Sequence, residues 1–319
     1  MTDLVIPPKT GLIPIDEGLS EKSKEYFHDA SAINTQKTYA RLWGIFQAWC
    51  IANERQHLPA SPETIVDFLV AQATEKDISH RSLFVYTAAI GFLHTDMGFD
   101  PPPTKSSLVI RSMKGIKKKH NKKSKQKRAI TIDELELMIA YCPDSLIGLR
   151  DASILSFHFS CAMRCSEPTL LKVKELEHTS DGVIVYLPNS KTGEAEIPLI
   201  NISRINAIKH LETWLNASGI TSGYVYRPVK KGDKLGGEED HLCSRTIQQI
   251  WKKYAALAGL NTDDISGHSA RSGFVTEVRL AGADTRDIKD VSRHTNDRMI
   301  DLYTRKKNMF INHAGRKIK

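Results

Sequence analysis

From Lys105 to Arg128 the chain carries 11 lysines and arginines and no acid. Its second part, from Lys117 to Arg128, repels itself and cannot pack a core. Cores must therefore be built on either side of it. The flanks are close to balance, with 8 Lys/Arg against 13 Asp/Glu in residues 1–104 and 26 against 24 in residues 129–319. The net charge of +8 is thus concentrated in one short strap. Such a strap suits a polyanion whose phosphates it can neutralise; a solvated linker is the plainer reading of the same run.

With 319 residues and 40% hydrophobic content, each flank is long enough for a core of its own. No apolar run approaches the ~20 residues of a bilayer span, so no membrane partner is expected. Asp3 and the early prolines do not resemble a secretion signal. Five cysteines with no C-x-x-C pair point to reduced thiols and a cytoplasmic chain.

Residues 1–30 read as an N-terminal arm with a short helix near Glu21–Phe27. From Ser31 the pattern turns helical: Tyr39, Leu42, Trp43, Phe46 and Trp49 recur at three- and four-residue spacing. Pro59-Ala60-Ser61-Pro62 breaks the chain and caps a second helix over 63–74. A third runs from about Ser79 to Met97 and stops before Pro101-Pro102-Pro103. A fourth covers about Lys105–Ile116. Residues 31–116 are accordingly expected to form a small helical domain, with Lys37 and Arg81 on polar faces turned to a groove. Residues 117–128, with Lys117, Lys118, Lys119, Lys122 and Lys123, read as a basic, extended or loosely helical linker.

Residues 129–319 open on a capping box, Thr131-Ile132-Asp133-Glu134. Helices are expected at 132–141, 145–158, 202–217, 243–258, 268–281, 285–291 and 297–303. Val183–Leu187 and Glu194–Leu199 alternate as a strand pair around the turn Asn189–Gly193. The fold class is mainly α: an N-terminal helical domain plus a mostly α domain with a small antiparallel sheet.

The second half also holds the parts for cleaving a phosphodiester. The anionic transition state wants permanent, two-pronged cations; Arg164 and Arg271 are the candidates. A phenol is a poor nucleophile until positive charge makes its oxyanion accessible; Tyr303 is the candidate. A Lys beside cations is able to protonate a departing 5′-oxygen, and Lys191 lies on the hairpin turn. His268 stands three residues before Arg271, His294 nine before Tyr303, and Glu167 three after Arg164 as a support. Each has a plainer reading alone: surface helix, ion pair, turn lysine, packed aromatic. Their conjunction in one half of the chain favours the catalytic reading. His158, Cys161 and Cys165 share a helix face, but no fourth ligand has a fitting spacing, so no metal or other cofactor is expected.

This ordered set resembles the signature of the tyrosine recombinase (phage-integrase type) family. The resemblance rests on Arg164-Cys165-Ser166-Glu167, on Lys191 before Ile197-Pro198-Leu199, on Gly267-His268-Ser269-Ala270-Arg271, and on His294 with Tyr303. It extends to Ile33-Asn34-Thr35 and the Leu58–Pro62 loop, which resemble the family's core-binding domain. It implies a site-specific DNA recombinase that cuts and rejoins strands through a 3′-phosphotyrosine. It also implies double-stranded DNA with paired inverted half-sites as partner and a homotetramer on two sites. Leu242-Cys243-Ser244-Arg245 resembles a family helix whose Arg reads a guanine, which makes Arg245, with Lys37 and Arg81, an expected DNA contact. Two departures stand out: Cys161-Ala162 replaces a common Thr-Gly, and Val291-Ser292-Arg293 replaces a common Leu-Gly-His lead-in. The arm before residue 31 is short for an added arm-type domain. The exposed tail Asn308–Ile318 is expected to dock into a neighbouring copy. The competing readings are a nicking-closing enzyme of topoisomerase or resolvase type and a non-catalytic DNA-binding regulator on the same fold.

Overall fold

The protein is represented by a computed structural model, which describes residue 20 and residues 33–120, 127–190, 193–202 and 204–294. It divides into two compact units, Met1–Ser124 and Lys125–Lys319, the division falling inside the basic stretch. The expected helices at Glu21–Phe27 and 297–303 lie outside the described residues, as does the tail Asn308–Ile318.

The first unit is made of α1 (Ile33–Ala52), α2 (Pro62–Thr74), α3 (His80–Asp96) and α4 (Ser107–Lys119). Serines start three of these helices: Ser61, Ser79 and Ser106 accept from the backbone N–H of Thr64, Ser82 and Val109. Each satisfies a donor that the first helical turn leaves open. Phe46, Phe68, Leu69, Leu83 and Ile90 are fully buried, and the Phe46 and Phe68 rings meet edge-on at 5.1 Å. His94 is buried with them, its Nδ1 bonded to the Ile90 carbonyl and its Nε2 accepting from the Ala60 N–H at 2.9 Å. That bond ties the proline-rich loop to α3. Helix α4 runs on through Lys117, Lys118 and Lys119, all exposed. Lysine is a good helix former, and cations in a last turn interact favourably with its open carbonyls.

The second unit comprises α5 (Ile132–Ala140), α6 (Leu146–Ser160), the short α7 (Glu167–Leu170), strands β1 (Leu176–His178), β2 (Val183–Ser190) and β3 (Gly193–Leu199), then α8 (Ala207–Ser218), β4 (Val229–Lys230), β5 (Lys234–Leu235), α9 (Ser244–Leu257), α10 (Gly267–Leu280) and α11 (Thr285–Ser292). The unit is mainly α with a small antiparallel sheet in the order β1-β2-β3. Val185 opposite Ile197 and Val183 opposite Leu199 send one sheet face into the core. α6 is buried along most of its length and forms the centre of the unit. Its Asp151 accepts from Arg150 and from the Tyr254 hydroxyl at 3.0 Å, so a satisfied polar network joins α6 to α9. α8 begins at Ala207, not Ile202, because Asn206 caps it through the Lys209 N–H. Among the described residues, no helix is long and apolar enough to cross a membrane.

α10 packs so closely on the chain before α5 that a Cβ at Gly273 would press on the Ile130 carbonyl oxygen and stand 2.9 Å from the Phe159 ring. Alanine at a helix interior gains about 1 kcal/mol in propensity, whereas overpacking a rigid core costs about 1–3 kcal/mol. The obstructing atom is backbone and does not rotate away. Gly273→Ala is therefore expected to destabilise the protein, read as a lowered urea midpoint with unchanged slope.

Candidate active site

The site forms where α6 ends. Its last turn passes into the loop Cys161-Ala162-Met163-Arg164, and Ala162 takes a left-handed conformation with φ +45°. That geometry suits glycine best and accounts for a glycine being common there. Alanine, the smallest side chain with a Cβ, occupies it here and is fully buried.

His158 pins this loop from beneath. Its Nε2 lies 3.1 Å from the Met163 carbonyl, and its Nδ1 accepts from the Trp251 indole N–H at 2.9 Å. The proton is therefore assigned to Nε2. Burial pushes the His158 pKa down to about 4, so the ring is neutral. With both nitrogens engaged, and the Cys161 thiol kept protonated by burial, His158, Cys161 and Cys165 do not make a ligand set. Among the described residues, no group of three or more His, Cys, Asp or Glu is placed to hold a metal.

Glu167, at the start of α7, organises the next layer. Its Oε2 accepts from the Arg164 backbone N–H at 2.7 Å and from Arg293 Nη2 at 2.8 Å. Its Oε1 accepts from Arg164 Nη1 at 2.8 Å and Arg293 Nη1 at 3.0 Å. Burial alone would raise this carboxyl, but the bonds and charge of Arg293, then those of Arg164, hold it below its ordinary range. The Arg164 side chain stays 25% exposed, while those of Glu167 and Arg293 are 7% and 9% exposed.

α10 brings the second clamp. Ser266 caps it, accepting from the His268 N–H. Gly267 permits the close approach: a Cβ there would stand 2.5 Å from Cys165 Sγ. Arg271 is only 2% exposed. Its Nη1 donates to the Ala162 carbonyl at 2.7 Å, and its Nε to His294 Nε2 at 3.4 Å. His294 Nδ1 lies 2.7 Å from Ser292 Oγ, which assigns the His294 proton to Nδ1. Burial and then the charges of Arg271, His268, Arg164 and Arg293 lower the His294 pKa to about 3. His268 is also lowered, by crowding from the surrounding protein and then by Arg271, though its surface still opens to solvent. Both imidazoles are therefore neutral hydrogen-bonding groups near pH 7.

Of the sequence-derived set, Arg164, Glu167, His268, Arg271 and His294 are brought together. Lys191 and Tyr303 lie outside the described residues, as do Lys122 and Lys123. Lys37 on α1, Arg81 on α3, Arg245 in the first turn of α9 and Lys117, Lys118 and Lys119 on α4 are all exposed. Cys165 Sγ contacts the Ser244 carbonyl at 3.4 Å, linking the start of α9 to the Arg164 loop. Sequence reasoning did not assign a role to Arg293, Trp251 or Ser292. Arg164 and Arg293 share the single carboxylate of Glu167 while Arg271 adds a third guanidinium, so the recess stays cationic, which suits a phosphate diester gaining negative charge.

The comparisons with known proteins agree with this chemistry. Residues 128–309 match the model described as the phage integrase family. The chain is 31% identical over 318 residues to an integrase/recombinase XerD homolog of Selenomonas ruminantium, covering 96% of this chain and 91% of that one. It is 23% identical to the recombinase Cre of Escherichia phage P1, over 92% of this chain and 91% of the other. A solved lambda integrase dimer bound to a COC′ core site superposes with a TM-score of 0.60 at 15% identity, over 89% of this chain and 92% of that one.

Proposed function

Because the chain belongs to the phage integrase family, we propose that it is a site-specific DNA recombinase working through a covalent tyrosine intermediate. The observation that carries this reading is the anchoring of two guanidiniums to one loop. Arg164 leaves the loop directly, and Arg271 reaches it from α10 through the Ala162 carbonyl. Both are thereby held rigidly enough to stabilise a transition state they need not reorganise to meet.

In the proposed reaction the Tyr303 phenolic oxygen attacks a backbone phosphorus while the bond from phosphorus to the 5′-oxygen breaks. Arg164 and Arg271 hold the non-bridging oxygens. His268 and His294, neutral at pH 7, assist through hydrogen bonds and proton handling; the phenol proton passes to a neutral imidazole. Lys191 gives a proton to the departing 5′-oxygen. A 5′-hydroxyl from another strand then attacks the phosphotyrosine and releases Tyr303, so bond energy is conserved and no ATP is consumed.

The partner we propose is double-stranded DNA carrying paired inverted half-sites, bound by four copies of the chain on two sites in the cytoplasm. The lambda integrase relative was solved as a dimer on a core site, which supports a DNA partner. Lys117, Lys118, Lys119, Lys122 and Lys123 would neutralise backbone phosphates along the basic strap, giving affinity that falls steeply with salt. Lys37, Arg81 and Arg245 are the proposed groove contacts. Residues 31–116 would serve as the core-binding domain, 117–128 as linker and 129–319 as catalytic domain. The test is a nicked duplex built on sequences that wild-type protein selects from random DNA. Wild type is expected to accumulate a covalent protein–DNA adduct, and Tyr303→Phe none. An adduct that persists in Tyr303→Phe overturns the assignment.

A further inference from the structure

Arg293 holds the left-handed conformation that ends α11, with φ 57° and ψ 39°, a conformation glycine adopts most readily. A bulky residue there costs about 1–2 kcal/mol relative to glycine. Its Nε adds a second penalty, being buried with no hydrogen-bond partner among the described residues. The chain nevertheless places an arginine at this position and aims both terminal nitrogens at Glu167.

The consequence lies in how the carboxylate is shared. A carboxylate offers about four lone-pair sites, and Glu167 receives four bonds: the Arg164 N–H, Arg164 Nη1, Arg293 Nη1 and Arg293 Nη2. Arg164 therefore makes one side-chain bond to Glu167 and not the two-pronged pair that arginine ordinarily prefers. We propose that Arg293 is a positioning residue: by filling the remaining sites on Glu167 it keeps Arg164 from closing both prongs onto that carboxylate, and so leaves the rest of the Arg164 guanidinium for the DNA phosphate. Arg293 touches no reacting atom in this role; it acts through Glu167. The inference rests on the recombinase reading above.

The role has a pH signature that simple packing lacks. Glu167 faces Arg164 from its own loop, Arg293 from the end of α11, and neutral His158 and protonated Cys161 at the end of α6. Without Arg293, the leading influence that lowers the carboxyl is lost while burial, which raises it, remains. The folded-state pKa of Glu167 then rises, and the carboxylate that holds Arg164 is lost at a higher pH than in wild type. His294 also loses Arg293, the smallest of the influences that lower it, while burial and the guanidiniums of Arg271 and Arg164 remain.

The experiment uses the full chain on the nicked, selected duplex described above, comparing wild type with Arg293→Gly, Arg293→Met and Arg293→Lys. Arg293→Gly suits the left-handed turn, so it keeps a folded variant in the series. In Gly and Met variants, single-turnover cleavage at neutral pH is expected to fall by about 10- to 100-fold, with duplex affinity retained. Their rate should also decline further as pH drops, over a range where wild type is flat. Lysine keeps the charge and should restore the wild-type acid side while recovering only part of the rate. Wild-type rates in the Gly and Met variants would overturn the proposal. So would a loss that merely follows thermal stability with the pH profile unchanged. A wild-type protein that forms no adduct overturns the recombinase reading itself, and this role with it.

Discussion

Glu167→Gln is expected to lower the free energy of unfolding at neutral pH by about 3–5 kcal/mol, the usual result of removing one partner from a buried ion pair. The substitution preserves size, so packing changes little. What changes is the charge facing two guanidiniums, one of them on a side chain only 9% exposed. The new amide also turns an N–H group toward donors that need acceptors. Urea denaturation at neutral pH reads the loss directly. The pH dependence supplies an internal check. Glu167 has a folded-state pKa below its ordinary 4.5, so its contribution is present above that value and is lost as pH falls through the folded-state pKa. The gap between wild type and Glu167→Gln should therefore narrow in acid. A gap that stays constant down to the acid transition would contradict the ionised, arginine-held carboxylate.

Arg271→Ala is the second large effect. Removing a preorganised donor from a charged transition state costs on the order of 100- to 1,000-fold in rate. Arg271 performs three tasks at once, since it carries charge into the recess, bonds the Ala162 carbonyl at 2.7 Å and meets His294 at 3.4 Å. The cleavage rate of Arg271→Ala on a selected nicked duplex is expected to fall by about 1,000-fold or more. Duplex affinity should change little, because binding is spread over many phosphate contacts. Arg271→Lys should recover little, since a single ammonium does not span both partners as the planar guanidinium does. Near-wild-type cleavage by Arg271→Lys would mean that charge alone matters and that the observed hydrogen bonds do not.

The legibility of this molecule in its sequence followed the length of each signal. Long amphipathic stretches such as 33–52 and 62–74 declare themselves through repeating apolar positions, and Ser61 or Thr131 mark their starts. Strands of two or three residues, such as Leu176–His178 and Val229–Lys230, are too short to show a period. The helix expected over 202–217 starts later, at Ala207, because Ile202 and Ile205 form a local bridge. Within the site, Arg164, Glu167, His268, Arg271 and His294 were visible because their types and order match one chemistry. Arg293 was visible only as a departure from a common pattern. Its role depends on a left-handed turn that swings a side chain back onto Glu167, 126 positions earlier in the chain, and no local spacing encodes that. His158 shows what spacing leaves out: the sequence set it beside Cys161 and Cys165 without a fourth ligand, whereas its partners, Trp251 and the Met163 carbonyl, come from elsewhere in the fold and from the loop it pins.

The central claim is that Tyr303 becomes covalently joined to DNA in a recess charged by Arg164 and Arg271. It is tested most directly by trapping the protein on a nicked, selected duplex, digesting both components and weighing the peptide that retains nucleotide. The account predicts phosphate linked to Tyr303 alone, through the 3′ side of the cut strand, with a free 5′-hydroxyl on the other end. A nucleotide found on another residue, or a 5′-linked phosphate, would contradict it.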